Sequence, residues 1–135
     1  MPIWIKLPPF QFDVDIIRGE DLENEENPVA LSTKYYQMLE PVKWKRGGVY
    51  FLYSKDGDLL YVGRSVNVKQ RLIDHLMGGS GNTKQFSDEI SNVKGFYVYD
   101  IADQEIYETY AIKTLRPKYN RAKTDKVRGN YKQSM

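Results

Sequence analysis

Tyr50 and Tyr61 lie in two β-rich runs, Gly48–Tyr53 and 59–63, separated by the turn signal Asp56-Gly57. With residues 54–57 as the loop, Tyr53 faces Asp58 and Tyr50 lies directly opposite Tyr61. Both phenols then share one face of a hairpin, with Cβ atoms about 5 Å apart. Two phenols side by side on one face are unusual. The chain has 11 tyrosines, so ordinary packing of a tyrosine-rich strand pair is the other reading. A helix later in the chain carries Glu108 inside the arc formed by Ile106, Tyr107, Tyr110, Ala111, Ile112 and Leu115. A carboxylate on an apolar face is costly unless it is paired or binds a cation. Glu108 is therefore a metal ligand or catalytic group, or it is held by an arginine or a tyrosine hydroxyl. Arg71 and His75 stand four residues apart on another helix, side by side at the edge of its apolar arc. Arg64 lies in the loop that leaves the second strand. A guanidinium there can hold a phosphate by two parallel hydrogen bonds, and two solvated basic groups are the bland alternative. Lys69 sits inside the apolar arc of the same helix.

The elements that must position these groups follow from capping and turn residues. Ser65 can cap a helix over 66–77, which Gly78-Gly79 ends. A polar loop follows, then a short helix near 86–90 and a third strand over 93–99. The strongest helical pattern runs over 103–115 and is closed by Pro117. The order β-β-α-(α)-β-α predicts an α+β domain. Residues 1–44 differ from the rest. They carry most of the prolines and an acidic run from Glu20 to Glu26. A short strand is expected over 11–17, and a helix over 33–39 capped by Ser32 and stopped by Pro41. This segment covers a sheet edge or face, or binds a partner.

Composition removes whole classes of chemistry. The chain has no cysteine, so disulfide scaffolds, thiolate zinc sites and cysteine nucleophiles are excluded. It has one histidine, so a two-histidine metal site is impossible. Its 135 residues suit one domain, with no apolar run of about 18 that could span a membrane. No signal peptide is read at the N-terminus, and the cytoplasm is the default compartment. Net charge is +2 but unevenly placed: four Lys/Arg against eight Asp/Glu in 1–44, eleven against nine in 45–120, five against one in 121–135. The chain thus reads as an acidic extension over 1–44, a core over 45–121 and a basic tail over 122–135, which touches phosphates or is simply solvated.

Taken in order, Gly48-Val49-Tyr50, the stretch from Tyr61-Val62-Gly63-Arg64 to Arg71-Leu72, Glu108-Thr109-Tyr110-Ala111-Ile112-Lys113 and Arg116-Pro117-Lys118-Tyr119-Asn120 resemble the GIY-YIG nuclease family. They are most similar to the N-terminal incision module of the bacterial excision-repair nuclease. The resemblance runs from about Gly47 to Arg121, with valine in place of both signature isoleucines. It implies a small central antiparallel three-stranded sheet flanked by helices, with residues 1–44 as an N-terminal extension. It implies metal-dependent hydrolysis of phosphodiester bonds in DNA, with one Mg²⁺ or Mn²⁺ per site and Glu108 as sole protein ligand. Tyr50 matches the general base, with Tyr61 beside it orienting or deprotonating water. Arg71 would bind the scissile phosphate, and His75 would hold a phosphate or shuttle a proton. Arg64, Lys69, Lys118, Arg121 and Asn120 are the substrate-binding candidates. The metal, Arg71 and Arg64 are expected to favour the Tyr50 phenolate, and Asn120 to order the end of the last helix. DNA is the expected partner, with a protein partner possible through the acidic segment and no membrane. Two rivals remain: an inactive or partner-dependent nucleic-acid-binding module of the same fold, and an unrelated α+β domain in which Tyr50 and Tyr61 need not meet.

Overall fold

A strand that is apolar on both faces belongs in the middle of a sheet covered on both sides. The run GVYFLY is such a strand. In the computed structural model, which describes residues 4–79 and 81–120, it forms β2, Gly48–Tyr53, the inner strand of an antiparallel sheet. The sheet order is β1-β4-β2-β3, with β1 Phe12–Asp15, β3 Leu59–Ser65 and β4 Asn92–Tyr97. The expected three-stranded sheet is present and carries a fourth strand from the N-terminal segment. β1 alternates Phe12 and Val14 inward with Asp13 and Asp15 outward, and it covers the otherwise open edge of β4. Phe12 pairs with Gly95, where any Cβ would run into the Phe12 ring.

Four helices surround the sheet: α1 Glu20–Glu23, α2 Pro28–Met38, α3 Val68–Leu76 and α4 Ile101–Leu115. Several boundaries differ from expectation, and caps explain the starts of α2, α3 and α4. α2 starts at Pro28 because the Asn27 side chain accepts from the N–H groups of Val29 (2.9 Å) and Ala30 (3.2 Å), with proline in the first position. α3 is capped by Asn67 and not by Ser65, which still belongs to β3. The helix expected near 86–90 is instead part of a 3-10 segment, Gly81–Glu89. α4 opens on the Asp100 side chain, which accepts from the Asp103 N–H at 3.1 Å.

One sheet face sets Tyr50 and Leu52 against Val68, Leu72, Ile73 and Leu76, all of them on α3. The other sets Val49, Phe51, Val62 and Phe96 against Ala111 of α4. α4 buries a narrower stripe than its apolar arc suggests. Gln104, Glu108 and Ala111 are buried, while Ile106 and Leu115 are exposed. Gln104 is accommodated because its Nε2 donates to the Val98 carbonyl at 2.7 Å. Among the described residues no helix is long and apolar enough to cross a membrane.

Candidate active site

The β2–β3 ladder pairs Tyr50 with Gly63 and Leu52 with Tyr61, with an irregularity between Leu52 and Tyr53. Tyr50 and Tyr61 are therefore not directly opposite, as the simple hairpin count has it. The true register differs by two positions, and a shift of two keeps every side chain on its face. The phenols remain neighbours on the diagonal, with ring centroids 6.4 Å apart. Gly63 makes this possible, since a Cβ there would stand 2.5 Å from Cζ of Tyr50. The Tyr50 ring lies across that gap and meets the His75 ring of α3.

The Tyr50 hydroxyl and His75 Nε2 are 2.7 Å apart, and both residues are 1% exposed. The His75 ring is also 5.6 Å from that of Tyr61. Burial pushes the Tyr50 phenol well above its ordinary value; the nearby Tyr61 and Glu108 add to this and Arg71 opposes it. Burial likewise raises Tyr61, with Glu108 adding and Arg71 opposing. Burial, then the Arg71 charge, pushes His75 down to about 4, so its imidazole is neutral at pH 7. Arg71 thus acts in the expected direction on both phenols, but desolvation outweighs it. These mutual effects place Tyr50, Tyr61, Arg71, His75 and Glu108 in one cluster, drawn from β2, β3, α3 and α4.

Arg64 is engaged inside the protein. Its Nη2 lies 3.0 Å from Glu105, and its Nε lies 4.0 Å from Glu108. Both readings of Glu108 thus apply to its surroundings: it is a buried carboxylate near an arginine and beside the two phenols. Among the described residues no three His, Asp or Glu side chains gather as a multidentate metal centre. A lone hard oxygen donor fits a hard divalent cation that keeps most of its waters, and fits zinc or a softer metal poorly.

The remaining candidates divide. Asn120 is buried at the outer edge of β3. Its Oδ1 accepts from the Val62 N–H at 2.8 Å and its Nδ2 donates to the Val62 carbonyl at 3.1 Å. It therefore clamps the strand that carries Tyr61, where the sequence suggests it orders the end of the helix. Lys69 is also buried, and its ammonium lies 3.9 Å from the Tyr36 ring centre on α2, away from the phenols. That contact explains a lysine in the apolar arc. Lys118 is exposed and lies 3.8 Å from Glu89. Arg121 and the basic tail fall outside the described residues. Part of the acidic run is engaged within the chain, since Asp21 and Glu25 each lie 3.0 Å from Lys34. Sequence reasoning misses Phe86, which packs at 5.7 Å on Tyr61 and stacks at 4.3 Å on Tyr119. It also misses Arg18, which donates to the carbonyls of Ile90 (2.6 Å) and Ser87 (2.9 Å) and so ties the N-terminal segment to the segment bearing Phe86. Both contacts are long-range and leave no periodic trace in the sequence.

Comparison with known proteins bears on this arrangement. UvrABC system protein C of Flavobacterium johnsoniae is 36% identical over 75 residues, 54% of this chain but only 13% of that protein. The uncharacterized protein YurQ of Bacillus subtilis (strain 168) is 28% identical over 108 residues, 80% of this chain and 87% of its own. The N-terminal endonuclease domain of UvrC from Thermotoga maritima, solved with magnesium as its catalytic divalent cation, shares the fold. It has a TM-score of 0.53 and 22% identity, and the match covers 76% of this chain and 99% of that one. The GIY-YIG catalytic domain matches residues 46–120. That span takes in both tyrosine strands, the arginine helix and the glutamate helix, and it is more than half of the chain, so the protein belongs to the GIY-YIG nuclease family.

Proposed function

We propose that this protein is a metal-dependent DNA endonuclease that uses Glu108 as its single protein ligand for one Mg²⁺ or Mn²⁺ and the Tyr50–His75 pair to take up the proton of the attacking water. The observation that carries this reading is the buried 2.7 Å contact between the Tyr50 hydroxyl and His75 Nε2, set beside Tyr61, Arg71 and Glu108. A cation held by Glu108 supplies charge neutralisation at the scissile phosphate. Arg71 adds a guanidinium to the same phosphate, where charge grows in the transition state. Tyr50 alone is a poor base, because burial raises its phenol. Its pairing with His75 removes that difficulty. With the imidazole proton on Nδ1, the Tyr50 hydroxyl donates to Nε2 and its oxygen faces the water. As that oxygen accepts the water proton, its own proton passes to Nε2, so no free phenolate has to stand in the buried site. His75, pushed down to about 4, is neutral at physiological pH, so a ring nitrogen lone pair is free for the hydroxyl proton; it is a weak base that takes this proton only as the water is deprotonated in the transition state. Tyr61 orients the water. Lys118, Arg121 and the tail over 122–135 track the DNA backbone, with salt-sensitive, sequence-independent affinity. A protein partner would dock on Glu20, Glu23 and Glu26, the exposed carboxylates of the acidic run that lie outside the Lys34 pairs.

Purified protein and Glu108→Ala are incubated with labelled duplex, nicked, flapped and junction DNAs in Mg²⁺, Mn²⁺ or EDTA. Cleavage is expected with metal and lost, with the thermal transition retained, in EDTA and in Glu108→Ala. Cleavage by that variant at the wild-type rate overturns the assignment. DNA binding without cleavage by the wild type favours the inactive or partner-dependent module.

A further inference from the structure

Residues 43–46, Lys-Trp-Lys-Arg, lead from α2 into β2, and no step proposed above uses them. All four side chains are exposed. Among the described residues Lys43, Lys45 and Arg46 form no ion pair. Trp44 is 40% exposed and meets Tyr36, 43% exposed, edge to face at 5.5 Å. One cation borders Tyr36, and two more border a third ring, Tyr97. Lys69 lies over Tyr36, and the Arg46 guanidinium and Lys43 ammonium lie 4.9 and 5.8 Å from the Tyr97 ring centre. The loop is fixed in place. The Lys45 N–H donates to the Asn67 side chain at 3.2 Å and the Val68 N–H donates to the Arg46 carbonyl at 2.9 Å. Lys45 adopts φ 60, a left-handed conformation unfavourable for a lysine, so the surrounding contacts determine it. The loop therefore abuts the first turn of α3. Arg71 lies four residues beyond Asn67, about 6 Å along the helix axis, close to the spacing of successive phosphates in a strand.

Exposed cations interleaved with exposed aromatic faces match a nucleic-acid strand in both of its parts, phosphates and bases. Resting on the endonuclease reading above, we propose that residues 43–46 and Tyr36 form a second DNA contact, on which an unpaired nucleotide beside the scissile phosphate stacks on Trp44 while Lys43, Lys45 and Arg46 hold the flanking phosphates. The substrate this fits is DNA with unpaired nucleotides at the cleavage point, such as a flap or a splayed end. A fully paired duplex would meet only the charges.

The chain has two tryptophans, so Trp4→Phe leaves Trp44 as the sole indole reporter. Labelled flapped, single-stranded and fully paired DNAs are titrated in EDTA, which separates binding from cleavage. The flap and the single strand are expected to quench Trp44 emission. Trp44→Ala should bind them about 10-fold or more weaker, with little change for the duplex, and Trp44→Phe should restore most of the affinity. Replacing Lys43, Lys45 and Arg46 together by glutamine should flatten the slope of log affinity against log salt by about 2 for the single strand. Unquenched emission, wild-type affinity in Trp44→Ala and an unchanged slope, in a protein that binds DNA and cleaves it with Mg²⁺, overturn this contact and leave the endonuclease reading intact. A wild-type protein that neither binds nor cleaves any of these DNAs overturns both. Circular dichroism melts confirm that each variant is folded.

Discussion

At the residue scale the site depends on one buried histidine staying neutral. His75 is held at about 4 in the folded protein, against 6.5 for an unperturbed imidazole. The unfolded chain therefore binds this proton first as the pH falls, and folding stability is lost from about pH 6.5 down to about 4. The loss from this group is on the order of 3 kcal/mol, because each pKa unit is worth about 1.4 kcal/mol. We expect the urea midpoint of the wild type to fall between about pH 7 and pH 4.5. His75→Gln should flatten that part of the profile and also slow cleavage, since glutamine can hold the Tyr50 hydroxyl but cannot take its proton. A wild-type midpoint that stays level over this range, or an acid slope unchanged in the variant, counts against a buried neutral imidazole. Tyr50→Phe keeps the packing of the ring over Gly63 and removes only the hydroxyl. Cleavage should fall by roughly 10²- to 10⁴-fold, the usual worth of a proton-transfer group.

At the element scale, register decides whether the two phenols meet. The β2–β3 ladder places Gly63 under the Tyr50 ring, so this glycine is required for space rather than for backbone freedom. Gly63→Ala should push the ring away from His75, cost about 1–3 kcal/mol of stability as overpacking does, and reduce cleavage more than the lost stability explains. Thermal melting and cleavage rates measured on the same preparation test this; an unaltered melt with full activity would mean that the Tyr50 ring does not lie over the glycine. On the other side of β3, the two Asn120–Val62 hydrogen bonds satisfy an edge that α4 and the sheet leave open. Its contribution to the site is through the strand, by fixing the position of Tyr61.

At the scale of the whole molecule the N-terminal segment is built into the sheet. β1 contributes Phe12 and Val14 to the core on the α3 side, Ile16 follows them, and Arg18 binds the segment that supports Tyr61 through Phe86. Removing residues 1–18 strips three core side chains and exposes the edge of β4 to other chains. We expect the truncated protein to aggregate or to melt at least 10 °C lower, as the loss of several kcal/mol dictates for a chain of this size. A truncated protein that melts and cleaves like the full chain would show that residues 1–18 are dispensable for the fold.

What the sequence determined by itself was local or periodic. Two β-rich runs around Asp56-Gly57 specify the hairpin, a short strand is expected over 11–17, and the 3.6-residue period exposes Glu108 as a violation on the apolar face of its helix. The α+β class could be read from these signals, and the ordered set of tyrosine, tyrosine, arginine, glutamate and asparagine from the resemblance to the GIY-YIG family. The exact pairing could not, because a slip of two residues leaves the same faces buried and costs the pattern nothing. The cap of α2 is expected at Ser32 and lies at Asn27, whose side chain accepts from the N–H groups of Val29 and Ala30. Lys69 stood unexplained in the apolar arc of α3 because its spacing gives no sign of Tyr36, a residue 33 positions earlier. Asn120 reaches Val62 across 58 positions, Arg18 reaches Ile90 across 72, and the loop at 43–46 meets Asn67. Tertiary structure decided these contacts because each joins segments whose residues carry no shared period. The chain brings them together only when the two faces of the sheet are buried at once.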